Sequence, residues 1–136
     1  MTYLVERLAD LRRHLDHLRE IRPRVIGPES LERDLTLHND VLCSLFTVCQ
    51  LVIDVASELS SRRGHRFEDY TEAVRNLGKD LRFPIELVRQ LERLPGFRSV
   101  LVHDYVSLDM AKVVEALDGL EPIDEFHAIV SELPGV

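Results

Sequence analysis

Apolar residues recur along the chain at intervals of three and four, which predicts helices throughout. From Thr2 to about Arg22, leucines alternate between these two intervals, at Leu4, Leu8, Leu11, Leu15 and Leu18. This is the heptad seam of a helix that packs along its length against another helix. Pro23 and the Gly27-Pro28 pair are expected to end this first helix.

A second long helix is predicted from Glu29 or Ser30 to about Ser60. Its seam again follows the three-and-four spacing, at Leu31, Leu35, His38, Leu42, Leu45, Cys49, Val52, Ala56 and Leu59. Further apolar residues widen the surface beyond this stripe, namely Val41, Phe46, Val48 and Ile53. A helix this apolar should be central or should contact a second copy of the chain. Two long helices with a short connection predict an antiparallel hairpin.

Shorter helical segments are predicted for the rest of the chain, at 67–78, 84–94, 97–103, 109–117 and 122–133. Asp109 and Pro122 suit the first turns of the last two helices, whereas Pro95-Gly96 is expected to kink or break a helix. The pattern therefore predicts an all-α fold. It is expected to be a single domain over residues 1–136, an antiparallel bundle of about five or six helices with a long two-helix hairpin.

Composition adds an aliphatic core and an intracellular setting to this picture. Aromatic residues make up 6% of the chain, with no Trp. No apolar run approaches the roughly 20 residues of a membrane span, and no signal peptide is apparent. Cys43 and Cys49 lie about 9 Å apart along one predicted helix, too far for a disulfide. Two free thiols and no targeting segment together predict a cytoplasmic protein, and the lack of a spanning apolar run predicts no membrane partner.

The net charge of −7 argues against a general nucleic-acid coat protein, and no DNA partner is expected. Any contact with RNA must use a local basic site or one created by dimerisation. The strongest basic cluster is a polar loop containing Arg62, Arg63, His65 and Arg66. It could guide RNA or a protein partner by charge, although a solvated turn is the simpler interpretation.

Two histidine patterns outside this loop have structural explanations. Asp10, His14 and His17 share a helical face and could begin a zinc or nickel site. No fourth ligand is nearby, so a solvated face is favoured and no metal site is predicted. His38 interrupts the apolar seam of the second helix, which is typical of a hydrogen-bonded histidine in a core or interface.

The segment with the clearest chemistry contains Arg98, His103 and Tyr105. Arginine offers a donor fork for a phosphate, and histidine can act as general base on a 2′-hydroxyl or general acid on a leaving oxygen. Tyrosine can donate to a phosphate or stack on a base. These residues suit RNA cleavage without a metal, although an arginine and a histidine bound to helix-end carbonyls would give the same pattern.

Helical geometry separates two of these groups. On an ideal helix Arg98, Val102 and Tyr105 share a face, whereas His103 lies about 140° from Arg98. One chain therefore does not obviously assemble a full site. Acid and base roles together need two histidines, and a two-fold dimer would bring His103 in twice.

The motif Arg-x4-His-x-Tyr resembles the signature of HepT-like HEPN ribonuclease toxins. The similarity covers roughly residues 1–118 and includes four further stretches: Gly96-Phe97, Leu101–Tyr105, Leu51–Asp54 and Phe67–Tyr70. Many members have Asn after the arginine, where this chain has Ser99, which keeps a hydrogen-bonding group.

The resemblance implies a helical bundle that dimerises and places the motif in a cleft between protomers. Arg98 and His103 match the catalytic pair of a metal-independent endoribonuclease that needs no cofactor. Tyr105 matches the tyrosine to which a cognate MNT-type nucleotidyltransferase antitoxin transfers AMP, which would add charge and bulk beside the site. The implied partners are RNA, that antitoxin and a second copy of the chain, in a type II toxin–antitoxin system.

Supporting roles are expected for Ser99, Asp104 and Asp54, the last as a pairing partner of Arg98. An alternative function is a catalytically inactive HEPN module that binds a nucleotidyltransferase or a nucleotide. A third is a helical protein that serves only in protein–protein interaction.

Overall fold

The computed structural model describes residues 2–136, except the side chain of Tyr105. Its α-helices are α1 (Thr2–Ile21), α2 (Gly27–Arg33), α3 (Leu35–Arg62), α4 (Tyr70–Arg75), α5 (Ile85–Leu91), α6 (Leu94–His103), α7 (Met110–Leu117) and α8 (Glu121–Ser131). Short 3-10 turns lie at Arg22–Arg24, Asn76–Lys79 and Tyr105–Ser107. No strand occurs in these residues, so the predicted all-α class is confirmed. The described chain has eight helices where about five or six were expected.

The predicted hairpin consists of α1 and α3, which run antiparallel. His14 of α1 lies 3.4 Å from the Ser44 hydroxyl, and His17, one turn later, lies 2.8 Å from Asp40, one turn earlier on α3. The five leucines of the α1 seam are buried between the helices: Leu4, Leu8, Leu11, Leu15 and Leu18. The heptad pattern therefore predicted both the helix and its packing face.

The prediction of one continuous helix from residue 29 or 30 to residue 60 was wrong, because the chain turns at Asp34. The backbone N–H of Asp34 still donates to Ser30 at 3.1 Å, and closes α2. Its carboxylate accepts from the backbone N–H of Leu37 at 3.1 Å, and so caps α3. One aspartate thus ends one helix and begins the next, a break that an uninterrupted apolar pattern does not reveal.

The predicted kink or break at Pro95-Gly96 was misplaced, since Pro95 lies in the first turn of α6. Proline is well tolerated there because a first-turn N–H has no partner within the helix. The break falls earlier, after Leu91, where α5 ends. The predictions for the last two helices are confirmed: Asp109 caps α7 with a 2.9 Å bond from Ala111, and Pro122 opens α8.

The ends of the chain meet where α8 packs on α1. Asp124 accepts from Arg12 at 2.7 Å and also pairs with Arg19, and these bonds, the Arg19 bond first, hold the pKa of Asp124 below its usual value. His127 reaches the Leu8 carbonyl at 3.1 Å. Phe126 is fully buried, and its ring is tilted against that of Phe83 with centroids 6.2 Å apart.

Helix α3 is the central element. In the described chain it is the one helix long and apolar enough to cross a membrane on length and composition, with a mean hydropathy of 1.6. The expectation that no apolar run approaches the length of a membrane span therefore did not hold for α3. Thirteen of its residues are buried against the surrounding helices, and that packing accounts for its apolar character.

Both cysteines are free, as expected. Cys43 is exposed on α3, and Cys49 is buried. Burial raises the pKa of the Cys49 thiol to about 12 because the thiolate would lose its hydration. Neither position contributes a covalent constraint to the bundle.

Candidate active site on helix α6

Arg98 is held at the junction of α3, α4 and α6. Its Nε donates to the side-chain oxygen of Gln50 at 2.8 Å. The guanidinium carbon lies 5.6 Å from the ring centroid of Phe46 and 6.0 Å from that of Tyr70. Aromatic faces attract a cation at these distances. The half-buried guanidinium is therefore fixed in place by one hydrogen bond and two rings.

Gln50 connects Arg98 to Asp54. Its amide nitrogen donates to the Asp54 carboxylate at 2.8 Å while its oxygen accepts from Arg98. The expected direct pairing of Asp54 with Arg98 is thus corrected: in residues 2–136 the two side chains form no ion pair within 4.0 Å, and Gln50 stands between them. A glutamine can bridge them because its amide carries both a donor and an acceptor.

The sequence interpretation missed Gln50. The available signal was a polar residue four positions before Asp54 within the apolar stretch of the helix, since residues four apart share a helical face. That signal suggests a link to Asp54. The contact with Arg98, 48 positions further along the chain, depends on the packing of α6 against α3.

His103 is the last residue of α6 and is exposed. Asp104 closes the helix with a 3.0 Å bond from its N–H to the Val100 carbonyl, and its own carbonyl accepts from Ser107 at 3.0 Å. Ser99, which follows Arg98 on α6, is exposed. The expectation for Tyr105 concerns a side chain outside the described part of the structure.

Arg98 and His103 therefore have different surroundings, as the angular offset predicted. Arg98 lies against α3 and α4, whereas His103 faces solvent. Exposed apolar side chains accompany the histidine: Val102 is 40% exposed and Val106 is 86% exposed.

The chain matches the model of a known ribonuclease family over most of its length. Residues 11–132 match the family model described as Ribonuclease HepT-like. The chain belongs to this family. The identification made from the Arg-x4-His-x-Tyr motif is thereby confirmed.

Two curated proteins and one solved structure are similar to this HepT-like chain. It is 27% identical over 84% of its length to a putative RNase of Archaeoglobus fulgidus, covering 87% of that protein. It is 22% identical over 93% of its length to the mRNA nuclease HepT of Shewanella oneidensis, covering 95% of that protein. A solved structure of a tri-AMPylated Shewanella oneidensis HEPN toxin in complex with MNT antitoxin superimposes with a TM-score of 0.83 at 20% identity, covering 96% of this chain and 97% of that one. The last likeness confirms the HEPN-type bundle.

The other histidines of the HepT-like chain have structural partners. His14 and His17 contact Ser44 and Asp40 of α3, so the predicted solvated face also packs in part against α3, with the His17 side chain still 40% exposed. Partial burial is the main cause that lowers the pKa of His14. Within residues 2–136 no group of three potential metal ligands is found. His38 lies 3.2 Å from the Leu31 carbonyl, which confirms the predicted hydrogen-bonded histidine.

Proposed function

We propose that this protein is a metal-independent endoribonuclease toxin that uses Arg98 and His103. The observation that carries the proposal is the fixed guanidinium of Arg98, bound through Nε to Gln50. Within the described residues the two terminal nitrogens make no hydrogen bond, and in this proposal they bind a phosphate of the RNA. Membership in the HepT-like ribonuclease family and the names of the two curated relatives, a putative RNase and an mRNA nuclease, support an RNA substrate.

The proposed chemistry is an internal transfer at one phosphodiester. His103 removes the proton of the 2′-hydroxyl, and the 2′-oxygen forms a bond to phosphorus. The bond from phosphorus to the 5′-oxygen breaks, and that oxygen takes a proton from a second histidine. The products are a 2′,3′-cyclic phosphate and a 5′-hydroxyl, so no water, metal or cofactor is consumed. Arg98 stabilises the charge that develops on the phosphate oxygens.

A homodimer supplies the second histidine in this proposal. The exposed His103, with Val102 and Val106 exposed beside it, suits a surface shared by two copies. Two-fold symmetry would place His103 on both sides of one scissile bond. The cleft between protomers would then hold one Arg98–His103 pair from each chain.

Regulation is proposed to occur at Tyr105, by AMP transfer from an MNT-type nucleotidyltransferase antitoxin. The structural relative from Shewanella oneidensis is described as tri-AMPylated and in complex with MNT antitoxin. Each adenylate adds a phosphate charge and a base two residues from His103. A covalently attached phosphate could occupy the guanidinium of Arg98 and exclude RNA. The two free thiols fit a protein that acts in the cytoplasm.

RNA cleavage in excess EDTA tests the catalytic proposal. The purified wild-type protein is expected to cleave RNA equally with and without EDTA, because its acid, base and cation are all side chains. The His103→Ala variant is expected to lose the products, since no other group takes over the proton transfer. The measurement is gel analysis of a labelled RNA, with the cyclic phosphate identified by mass spectrometry.

The control for this assay is Arg13→Ala, which removes an arginine that is 78% exposed on α1. It should cleave as the wild type does. Cleavage that persists in His103→Ala, or that stops in EDTA, would sink the proposal.

Intact-mass analysis tests the regulatory proposal. Co-expression with the cognate nucleotidyltransferase is expected to raise the mass by whole adenylate units and to abolish cleavage. Tyr105→Phe should keep the unmodified mass because it lacks the phenolic oxygen that accepts the AMP. Tyr70→Phe is the matched control and should be modified as the wild type is. Equal modification of Tyr105→Phe and wild type would refute this site.

A further inference from the structure

A basic cleft lies at the end of α3, outside the motif. It has a volume of about 460 Å³ and is lined by Arg63, His65, Lys79, Asp80, Leu81 and Arg82. Three of these residues carry permanent positive charge and one is acidic. The rest of the chain holds fourteen basic and twenty-three acidic residues. The cleft is therefore a local positive region on an acidic protein, the kind of basic site that its charge requires for RNA contact.

The cleft is organised around Asp80. Its carboxylate lies 2.9 Å from the Arg63 guanidinium and 4.0 Å from that of Arg82, and it also accepts from the Arg82 backbone N–H at 2.9 Å. Asp80 is thus a shared anchor that holds two arginines near each other. Each guanidinium has five N–H donors, so one carboxylate leaves most of them available to another anion.

Backbone contacts fix the loop that forms the other wall. The His65 N–H donates to the Ser60 carbonyl at 2.8 Å, and the Asn76 side chain donates to the Arg66 carbonyl at 3.1 Å. Because these contacts already order the walls of the cleft, binding of an anion there does not incur the entropy cost of ordering them. Leu81, at the rim, is 99% exposed and offers an apolar contact for a base.

The same loop leads from the cleft to Arg98. Residues 63–69 join the cleft to Tyr70, whose ring lies 6.0 Å from the Arg98 guanidinium. From Gln50 to Arg63, which directly follows α3, the chain rises about 20 Å along the helix axis, and this is the lower limit of a path that also passes around the helix. At about 3.4 Å per stacked nucleotide, this corresponds to roughly six nucleotides. A strand held at Arg98 could therefore reach the basic cleft.

We propose that the basic cleft binds the phosphate backbone of the RNA substrate several nucleotides from the scissile bond. The proposal rests on the ribonuclease function proposed above. In this proposal the cleft positions the RNA and increases its affinity, and the motif on α6 carries out the chemical step. Contacts to the phosphate backbone of a nucleic acid fix its register without recognising its bases. RNA long enough to span both sites should depend on the cleft, and very short RNA should not.

Fluorescence anisotropy with labelled single-stranded RNA tests the cleft directly. The full chain is used in a His103→Ala background, so that RNA stays intact. The variant Lys79→Gln/Arg82→Gln keeps the Arg63–Asp80 pair. We expect roughly tenfold weaker binding of a 20-nucleotide RNA at low salt, with the log–log salt slope reduced by about 1.4 because two phosphate contacts are lost. A trinucleotide should bind both proteins equally.

The matched control is Arg13→Gln/Arg89→Gln, which makes the same charge change at arginines 78% and 72% exposed. It should keep the wild-type salt slope. Unfolding midpoints of both variants should equal that of the parent. Equal RNA affinity of the cleft and control variants would overturn the proposal. ATP or inorganic phosphate that binds the parent but not the cleft variant at matched ionic strength, while both bind RNA equally, would also overturn it and would assign the cleft to a small anion.

Cleavage kinetics separate this inference from the proposed function. In the otherwise wild-type protein, the cleft variant is expected to raise KM for long RNA and to leave kcat unchanged. If the wild type cleaves RNA and the cleft variant has the same KM, the proposal about the cleft is refuted and the ribonuclease proposal stands. Absence of cleavage by the wild type, with RNA binding still dependent on the cleft, would refute the ribonuclease proposal and support the cleft.

Discussion

Replacing Arg98 with lysine is expected to lower kcat for RNA cleavage by roughly 10²–10³-fold, although the positive charge is kept. Loss of one fixed donor to transition-state charge has an effect of this size. Lysine has no Nε–H for Gln50 and no planar fork, so its ammonium would not be held between Phe46 and Tyr70 as the guanidinium is. KM should change less than kcat. Single-turnover cleavage of a labelled RNA gives the rate.

Arg93→Lys is the matched control, because Arg93 is exposed and precedes α6. It should cleave at the wild-type rate. If Arg98→Lys also retained that rate, charge alone would be sufficient and the guanidinium geometry would have no catalytic role. A circular dichroism spectrum and an unfolding midpoint for each variant exclude a folding defect as the cause of a low rate.

Replacing Phe126 with alanine is expected to lower the free energy of unfolding by about 3–5 kcal/mol. Its side chain is fully buried on α8, and its ring contacts Phe83 with centroids 6.2 Å apart. Truncation removes this contact and leaves a cavity where the two ends of the chain meet. Typical domains are stable by about 5–15 kcal/mol, so the variant should lose a large share of its stability. Urea denaturation followed by circular dichroism measures the loss.

Leu81→Ala is the control for Phe126→Ala, since Leu81 is 99% exposed. Its stability should stay within about 0.5 kcal/mol of wild type. The same curves test the predicted single domain over residues 1–136, which should unfold in one transition. A small effect of Phe126→Ala would contradict the packing of α8, and two separate transitions would contradict the single domain.

The candidate site segment is a prediction from the sequence, whereas its supporting contacts became visible only in the structure. The motif Arg98, His103 and Tyr105 is local, and all three residues lie within eight positions. Helical periodicity also predicted that Arg98 and His103 would point in different directions, because that angle depends only on the repeat of the helix. The bond from Arg98 to Gln50 joins two helices, and no spacing within one helix encodes it.

The helix boundaries that could be predicted are those set by residue preferences within a single turn. Asp109 and Pro122 begin α7 and α8 as expected because their preferences act within a single turn. Asp34 stands between Leu31 and Leu35 in an apolar pattern that continues across it, so the pattern gives no sign that the chain turns there. Aspartate is favoured at the N-cap of a helix, but the apolar spacing on both sides of Asp34 predicted one continuous helix.

The sequence by itself determined the helical class, the antiparallel α1–α3 hairpin, the free cysteines and the family motif. Each follows from local periodicity or from residues close together in the chain. Only the tertiary structure decided that Gln50 stands between Arg98 and Asp54, that His14 and His17 face α3, and that Asp80 joins Arg63 and Arg82 in one cleft. These contacts depend on how helices pack and loops return, which is set by the burial of the whole aliphatic core and not by any one segment.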